Sequence, residues 1–124
     1  MILGIGVDIV HLQRIRALVA RRGSEKLARR ILSVKELAEF QSKFTQVHHD
    51  HAVMYLGSRW CVKEAVYKAL YPVHRLEWKQ VSVIKEAGKP GLEIENSAAF
   101  GIKKAHVSLS HDGDYAIAQV ILES

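Results

Sequence analysis

The sequence predicts an α+β domain with an N-terminal strand and helices, a long central helix and C-terminal antiparallel strands. Three observations predict it. Residues 2–10 are dense in Ile and Val, apolar residues then recur every three or four positions up to residue 70, and a period near two follows from residue 81. Because the strands and helices occupy separate parts of the chain, the order is typical of the α+β class.

The chain begins with a predicted strand and a predicted helix. The run over residues 2–10 is too short for a typical helix, so it is interpreted as a strand with Asp8 near its end. Gly4 and Gly6 lack the third glycine of a dinucleotide-binding turn, and they are interpreted as allowing close packing of this strand. From His11 the apolar spacing becomes helical, and Gly23 ends that helix.

Two shorter helices and a loop are predicted next. Ser24 is a candidate N-cap of a helix through residue 32, and Ser33 with Glu36 has the capping-box spacing of a third helix toward residue 43. Residues 44–51 are predicted to be a loop in which Asp50 caps the following helix. Histidines on a loop lack the fixed spacing of a helix face, so a solvated loop is favoured over a metal site at His48, His49 and His51.

The longest helix is predicted over residues 52–70. Val53, Leu56 and Trp60 recur at helical spacings, and the Tyr71-Pro72 pair stops the helix. Cys61 is the only cysteine, so an internal disulfide is excluded. Core packing in a reducing compartment is therefore the simpler interpretation of Cys61.

Four strands are predicted in the last third of the chain, over residues 81–84, 92–94, 106–110 and 115–122. Gly88-Lys89-Pro90 is the predicted turn between the first two, residues 111–114 carry a hairpin signal, and residues 97–102 are predicted to form a short helix. At 124 residues, we expect one domain over residues 1–124.

Composition limits the class of function. The chain carries 18 Lys and Arg against 13 Asp and Glu, a net charge of +5 with neutral histidines, which favours an anionic partner without choosing one. No apolar run approaches the ~20 residues that a membrane span needs, and the N-terminal residues lack the features of a secretory signal. We therefore expect neither a membrane span nor export.

Three groups of polar residues stand out against the apolar pattern. Asp8 is a carboxylate in an apolar strand, with capping or ion pairing as the alternative. Glu64 and Lys68 lie one helical turn apart and can face one ligand, although a surface ion pair has the same spacing. The third group alternates with apolar residues on a strand that either lines a ligand site or faces solvent: His106, Ser108 and Ser110.

Together these groups resemble the phosphopantetheinyl transferases in their short, carrier-protein-synthase form. The matching runs are Gly4-Ile-Gly-Val-Asp8, Arg59-Trp-x-x-Lys63-Glu64-Ala-x-x-Lys68 and His106-Val-Ser-Leu-Ser-His111, in this order over nearly the whole chain. Two departures occur: His11 stands where relatives commonly carry glutamate, and Tyr71-Pro72 replaces a glycine-rich connection. The departure at His11 puts in doubt an acidic contribution to the metal site of such enzymes. The departure at Tyr71-Pro72 leaves open the shape of the donor pocket and the range of substrates.

The resemblance implies the fold and the reaction of that family. Coenzyme A is the expected donor, magnesium the cofactor and an acidic acyl carrier protein the acceptor, in a homotrimer whose neighbouring protomers share active sites. Asp8 and Glu64 correspond to the metal-binding carboxylates. A serine hydroxyl of the carrier is expected to attack the pantetheine-side phosphorus and release adenosine bisphosphate, in support of fatty acid synthesis. Glu64, or a water beside it, is the candidate base, and Lys68 the positive charge near the phosphate.

The resemblance also assigns two binding surfaces. His106, Ser108, Ser110 and His111 are expected to border coenzyme A with Lys68, and Gly88-Lys89-Pro90 to shape its nucleotide end. Arg14 matches a helix that docks the carrier protein, and further arginines widen this positive surface unless they are merely solvated: Arg21, Arg22 and Arg30. We expect a cytoplasmic enzyme, with the mitochondrial matrix as the alternative location.

Two other functions compete with this expectation. A noncatalytic basic module would use five arginines as phosphate contacts to nucleic acid: Arg14, Arg21, Arg22, Arg29 and Arg30. This alternative leaves the acidic and lysine motifs unexplained. A different magnesium enzyme that acts on a phosphate ester would share Asp8 and Glu64 but use water as the nucleophile. We expect no nucleic-acid partner.

Overall fold

The structure, a computed structural model, describes residues 1–44 and 49–124. It confirms the predicted α+β class. The elements in chain order are β1 (Ile2–His11), α1 (Leu12–Arg22), α2 (Ser24–Ile31), α3 (Val34–Lys43), α4 (His49–Leu70), β2 (Val81–Glu86), β3 (Lys89–Ile94), β4 (Lys104–Asp112) and β5 (Tyr115–Glu123), with 3-10 turns at Trp78–Gln80 and Ser97–Phe100.

The main sheet has three antiparallel strands in the order β1-β5-β4, and β2 and β3 form a separate hairpin. One face of the main sheet packs against α4, and alternate residues of β1 and β5 are buried there. The residues between them point to the opposite face, because side chains alternate along a strand. That opposite face, the open face, exposes large apolar side chains: Leu3, Ile5, Val7, Ile9, Tyr115 and Ile117.

Strand β1 and helix α4 approach each other more closely than side chains would allow. A Cβ atom built on Gly4 would lie 1.8 Å from the carbonyl oxygen of Ala69, and one built on Gly6 would lie 1.8 Å from that of Ala65. The two glycines therefore allow the strand to lie directly on the helix backbone, as the sequence predicted.

A buried ion pair joins α3, α4 and the hairpin. Lys63 Nζ lies 2.6 Å from Glu36 Oε1, and both side chains are almost fully buried. The predicted capping box is present, since Ser33 Oγ accepts from the Glu36 backbone amide and the Glu36 carboxylate accepts from the Ser33 amide. Glu36 Oε2 also accepts from the Val83 amide at 2.9 Å, so this carboxylate fixes three elements to one another.

Three predicted local features are corrected. Helix α4 begins at His49, inside the predicted loop, and Asp50 is not its cap but lies in its first turn, 3.5 Å from Arg16. A negative charge there interacts favourably with the helix dipole as well as with the arginine.

The predicted histidine cluster includes His48, which lies outside the described residues. The cap before α2 is Gly23, and Ser24 is already helical, with no side-chain cap bond.

The hairpin turn is also displaced from its predicted position. It lies at Ala87 and Gly88, both with positive φ, while Lys89 and Pro90 already belong to β3. Glycine adopts this backbone region at no steric cost, so the turn centres on the residues before Lys89. None of the described helices combines the length and the apolar character needed to cross a bilayer.

Candidate active site

The predicted site residues of β1 and α4 meet at the point where the strand crosses the helix. Lys68 Nζ donates to Asp8 Oδ1 at 3.0 Å and to the Val7 carbonyl at 3.1 Å. The Asp8 side chain is 16% exposed and that of Lys68 is 51% exposed. Lys68 thus joins the helix to the strand by an ion pair with Asp8, which is a different partner from the Glu64 that its sequence spacing suggested.

Glu64 lies in the same site, and the surrounding charges shift its pKa. Burial raises the pKa of Glu64, and the nearby negative charge of Asp8 raises it further, while Lys68 and Arg14 act in the opposite direction. The carboxylates of Asp8 and Glu64 are therefore close enough to repel each other. Such a pair is stabilised by a cation or by a proton.

Cys61 lies beneath the carboxylates and plays a packing role. Its Sγ donates to the Asp8 carbonyl at 3.1 Å, and its side chain is fully buried. Burial is the main cause that raises the pKa of Cys61 to about 12. The thiol is therefore neutral, in agreement with the core packing that the sequence favoured.

The paired carboxylates fit a magnesium ion better than a metal held entirely by protein. Among residues 1–44 and 49–124, no group of three or more His, Cys, Asp or Glu side chains forms a ligand set. Magnesium prefers oxygen donors and is usually held by one or two carboxylates, with waters and substrate phosphates completing its shell. Asp8 and Glu64 would supply such a donor set, beside the Lys68 ammonium that pairs with Asp8.

The predicted carrier-binding arginines line one groove of about 520 Å³ beside this site. Arg14, Arg21 and Arg22 come from α1, and Arg30 comes from α2. The floor and walls are apolar and include Ala17, Leu18, Leu27, Ile31, Trp60 and Trp78. We call it the arginine groove. It combines positive charges at its rim with an apolar interior.

Arg14 connects the arginine groove to the carboxylates. Its guanidinium lies 5.1 Å from the centroid of the Trp60 ring, a cation–π contact. Its positive charge also acts to lower the pKa of Glu64. Arg29, which the nucleic-acid alternative required, instead pairs with Glu25 at 3.2 Å on the surface of α2.

Part of the predicted donor surface lines a second cleft, of about 560 Å³, between β3 and β4. Lys89 and Pro90 contribute from one side, and His106 and Ser108 from the other. His106 Nε2 also lies 2.7 Å from Glu123 Oε2. The predicted residues Gly88, Ser110 and His111 are not among those that line this cleft, which we call the donor cleft.

Within one protomer, the donor cleft and the carboxylates are separated. Asp8 pairs with Ala118 of β5, which in turn pairs with Leu109 of β4, so these three residues share the face that packs on α4. Ser108 lies on the opposite, open face, while Leu109 also lines the donor cleft, so the cleft is bordered from both faces of β4. Two strand spacings of about 4.8 Å also lie between β1 and β4.

Three residues of the site region were missed or underused by the sequence analysis. Trp78 lies after the helix in an irregular segment, so no periodic pattern pointed to it. Lys63 was matched as part of a motif and given no role. Arg59 stacks on the Tyr55 ring at 3.7 Å, and its buried Nε has no hydrogen-bond partner.

Arg59 also lines a small cleft of about 160 Å³ together with Lys35, Lys43 and Lys85. Glu36 and Glu39 line the same cleft, and their carboxylates lie 4.0 Å from Arg59 Nε and 3.8 Å from Arg59 Nη2. The charge of the guanidinium is therefore balanced within the chain. The sequence signal was available, since Tyr55 and Arg59 are separated by one helical turn.

Comparison with known proteins decides the family. A family model described as the 4'-phosphopantetheinyl transferase superfamily matches residues 4–120. The chain belongs to this superfamily. The holo-[acyl-carrier-protein] synthase of Yersinia pestis is 43% identical over 131 residues, which cover 99% of this chain and 98% of that protein.

Solved structures of the superfamily share the fold described above. Holo-[acyl-carrier-protein] synthase from Neisseria meningitidis matches with a TM-score of 0.85 and 32% identity, over 100% of both chains. The synthase from Bacillus anthracis, solved in complex with CoA (3',5'-ADP), matches with a TM-score of 0.80 and 29% identity, over 100% of this chain and 98% of that one.

Proposed function

We propose that the protein transfers phosphopantetheine from coenzyme A to a serine of apo acyl carrier protein, in support of fatty acid synthesis. The observation that carries this proposal is the convergence of Asp8, Glu64 and Lys68 where β1 crosses α4, in a chain of the phosphopantetheinyl transferase superfamily. Named relatives over nearly the whole chain support the same reaction. We further propose that residues 1–124 act as one domain.

Magnesium is the proposed cofactor, and Asp8 and Glu64 are the residues that would hold it. Their carboxylate oxygens and their mutual repulsion fit that ion. When bound, magnesium would neutralise the charge that develops across the pyrophosphate.

The chemistry of the chain's own residues follows from their positions. The serine oxygen of the carrier forms a bond to the pantetheine-side phosphorus, and the bond from that phosphorus to the bridging oxygen breaks, releasing adenosine bisphosphate. Glu64, or a water beside it, is the proposed base that takes the serine proton. Lys68, held beside Asp8, places a positive charge against the phosphate as the leaving group departs.

Coenzyme A is proposed to occupy the donor cleft, as the resemblance implied. His106, Ser108, Lys89 and Pro90 line that cleft and offer hydrogen-bonding groups together with a positive charge. The Bacillus anthracis synthase was solved in complex with CoA (3',5'-ADP), which supports this choice of donor. Ser110 and His111 stay proposed neighbours of the donor, on the strand beyond the cleft.

Acyl carrier protein is proposed to dock at the arginine groove. Four arginines converge there on an apolar interior, a combination that suits an acidic protein with an apolar contact residue. The groove adjoins Glu64 through Arg14, so a docked carrier would present its serine near the proposed base.

A homotrimer with shared active sites is proposed for two structural reasons. The open face of the sheet exposes six large apolar side chains, more than a free face of an antiparallel sheet usually presents. The donor cleft also lies two strands away from Asp8 within one protomer, which supports a site completed by a neighbouring copy. Light scattering should give a trimer, and a monomer that keeps full activity when dilute would contradict this assembly.

One experiment tests the transfer itself. The protein is incubated with coenzyme A, magnesium and apo acyl carrier protein, and the carrier is read by intact mass. We expect the carrier to gain one phosphopantetheine group, and chelation of magnesium by EDTA to stop the gain. Hydrolysis of coenzyme A without a change in the carrier would favour the phosphate-ester enzyme, and no reaction at all would leave the basic binding module.

We propose the cytoplasm as the location of the protein, with the mitochondrial matrix as the alternative.

A further inference from the structure

Helix α4 holds the segment after it at two points that lie three residues apart. The Trp60 ring packs edge to face against the Trp78 ring, with centroids 5.0 Å apart. Lys63 Nζ donates to the backbone carbonyl of Trp78 at 2.8 Å. Both side chains leave the same face of the helix, so the ring and the carbonyl of one tryptophan are attached to a single rigid surface.

The Lys63 ammonium has no hydrogen-bonding capacity to spare. Its three hydrogens are used by Glu36 Oε1, the Trp78 carbonyl and the Val81 carbonyl. Its side chain has no exposed surface. The Glu36 carboxylate is held by the backbone amides of Ser33, at the start of α3, and of Val83, in β2. Glu36 therefore fixes the Lys63 ammonium, which in turn fixes the carbonyl of Trp78.

The segment that carries Trp78 is short and leads directly into the hairpin strand β2. It is a single 3-10 turn, Trp78–Gln80, in which none of the residues is buried. Its backbone contacts join the Gln80 amide to the Glu77 carbonyl, the Val81 amide to the Trp78 carbonyl and the Glu95 amide to the Gln80 carbonyl. The Trp78 ring also packs partly against the core. The contacts with Trp60 and Lys63 join both the ring and the carbonyl of Trp78 to α4.

The position of this ring matters because Trp78 lines the arginine groove opposite α1. An aromatic ring beside several arginines forms the type of contact that dominates binding energy at protein interfaces. An acidic partner that presents an apolar side chain between carboxylates would pack that side chain on the Trp60 and Trp78 rings.

We propose that Lys63 is a positioning residue for carrier-protein recognition, which holds Trp78 in place as one wall of the arginine groove. This inference rests on the proposed docking of acyl carrier protein at that groove. Lys63 neither faces the groove nor contacts the reacting groups. It acts on the affinity for the carrier through the tryptophan alone.

The test compares Michaelis constants for the two substrates. Trp78→Ala should raise the KM for apo acyl carrier protein by roughly tenfold, equal to about 1.4 kcal/mol, and leave the KM for coenzyme A unchanged. Lys63→Met should do the same but leaves Glu36 buried without a partner. The paired replacement of Lys63→Met with Glu36→Gln avoids that unpaired charge and is the variant to measure.

A double-mutant cycle separates positioning from general destabilisation. If Lys63 acts through Trp78, the Lys63→Met and Glu36→Gln pair should add no further increase in carrier KM in a Trp78→Ala background. Val66→Ala, a fully buried cavity variant on the same helix, serves as the control for lost stability, and it should leave both KM values unchanged. The proposal is wrong if the effects of Trp78→Ala and of the Lys63 and Glu36 pair on the carrier KM multiply. It is also wrong if both KM values rise equally.

A second measurement does not depend on turnover. The chain has two tryptophans, so Trp60→Phe leaves Trp78 as the single tryptophan, whose fluorescence is excited selectively over that of tyrosine. In that background, the Lys63 and Glu36 replacements should increase quenching of Trp78 by acrylamide, and unchanged quenching would contradict the proposal. If neither Trp78→Ala nor Arg21→Ala raises the carrier KM, the docking surface itself is wrong. If Trp78→Ala raises it and the Lys63 pair does not, only the role of Lys63 fails.

Discussion

The contact between β1 and α4 gives the sharpest prediction, because a single methyl group cannot fit there. In Gly6→Ala the new Cβ would lie 1.8 Å from the Ala65 carbonyl oxygen and 2.8 Å from its carbonyl carbon. An ordinary carbon–oxygen contact is about 3.3 Å, so strand and helix must separate by about 1.5 Å. Both obstructing atoms belong to the backbone and cannot rotate away.

The expected cost follows from this displacement. Overpacking a well-packed core costs about 1–3 kcal/mol, and a backbone obstacle places Gly6→Ala at the upper end. A loss of about 3 kcal/mol should lower the Tm by on the order of 10 °C in a chain of this size. The same shift carries Asp8 away from α4, where Lys68 now lies 3.0 Å from it. A misplacement of about 1 Å in an active site costs about 100-fold in rate, so kcat should fall by about that factor.

The assay combines thermal unfolding by circular dichroism with transfer kinetics at a temperature where the variant is folded. Gly57→Ala is the control, since its Cβ would meet only side-chain atoms, Leu12 Cδ2 at 2.6 Å and Ile15 Cγ1 at 3.5 Å, and the Leu12 methyl is the movable end of its side chain. It should change stability by less than about 1 kcal/mol, because alanine also favours the helix. Parent Tm and parent turnover for Gly6→Ala would refute the argument that this contact sets the separation of the two carboxylates.

Three further predictions concern single side chains. Asp8→Ala should abolish most transfer and leave the far-ultraviolet circular dichroism unchanged, with partial rescue by higher magnesium; a parent rate with unchanged magnesium dependence would reject Asp8 as a ligand. Lys68→Ala should cost less than about 1 kcal/mol in unfolding, because its ion pair is half exposed, but should lower kcat by on the order of 100-fold. Lys68→Arg should recover only part of that rate, and parent turnover in Lys68→Ala would mean that the pair is structural. Cys61 should react with thiol reagents only on unfolding. Its raised folded pKa means that its contribution to stability is present below about pH 9 and is lost as the pH rises toward 12, which denaturant titrations can measure.

Features set by nearby residues were predictable from the sequence, and features set by distant residues were not. The capping box of Ser33 and Glu36 was predicted because its spacing is local. That the same Glu36 also pairs with Lys63 could not be predicted, since the two residues belong to different helices. A lysine in a helical sequence is expected on the surface, and only the tertiary structure surrounds this one with an anion and two carbonyls.

The start of α4 shows the same limit. Asp50 among histidines is a reasonable N-cap by residue type, but the helix includes it. Arg16, on α1, lies 3.5 Å from its carboxylate and is too distant in sequence to enter a local prediction. The gathering of Asp8, Glu64 and Lys68 was expected from the resemblance alone, because nothing in their spacing brings a strand and a helix together.

Helix α4 would place the proposed docking surface for the carrier protein and the proposed catalytic residues along one line. Trp60, Glu64 and Lys68 follow one another at intervals of four residues, so they form a stripe about 12 Å long. The stripe begins in the arginine groove, passes the proposed base and ends at the lysine that pairs with Asp8. A carrier protein docked at the first position would therefore bring its serine to the second, while the phosphate meets the third. The order of these residues on one rigid helix would fix the distance between the proposed docking surface and the phosphate, which a flexible loop would not do.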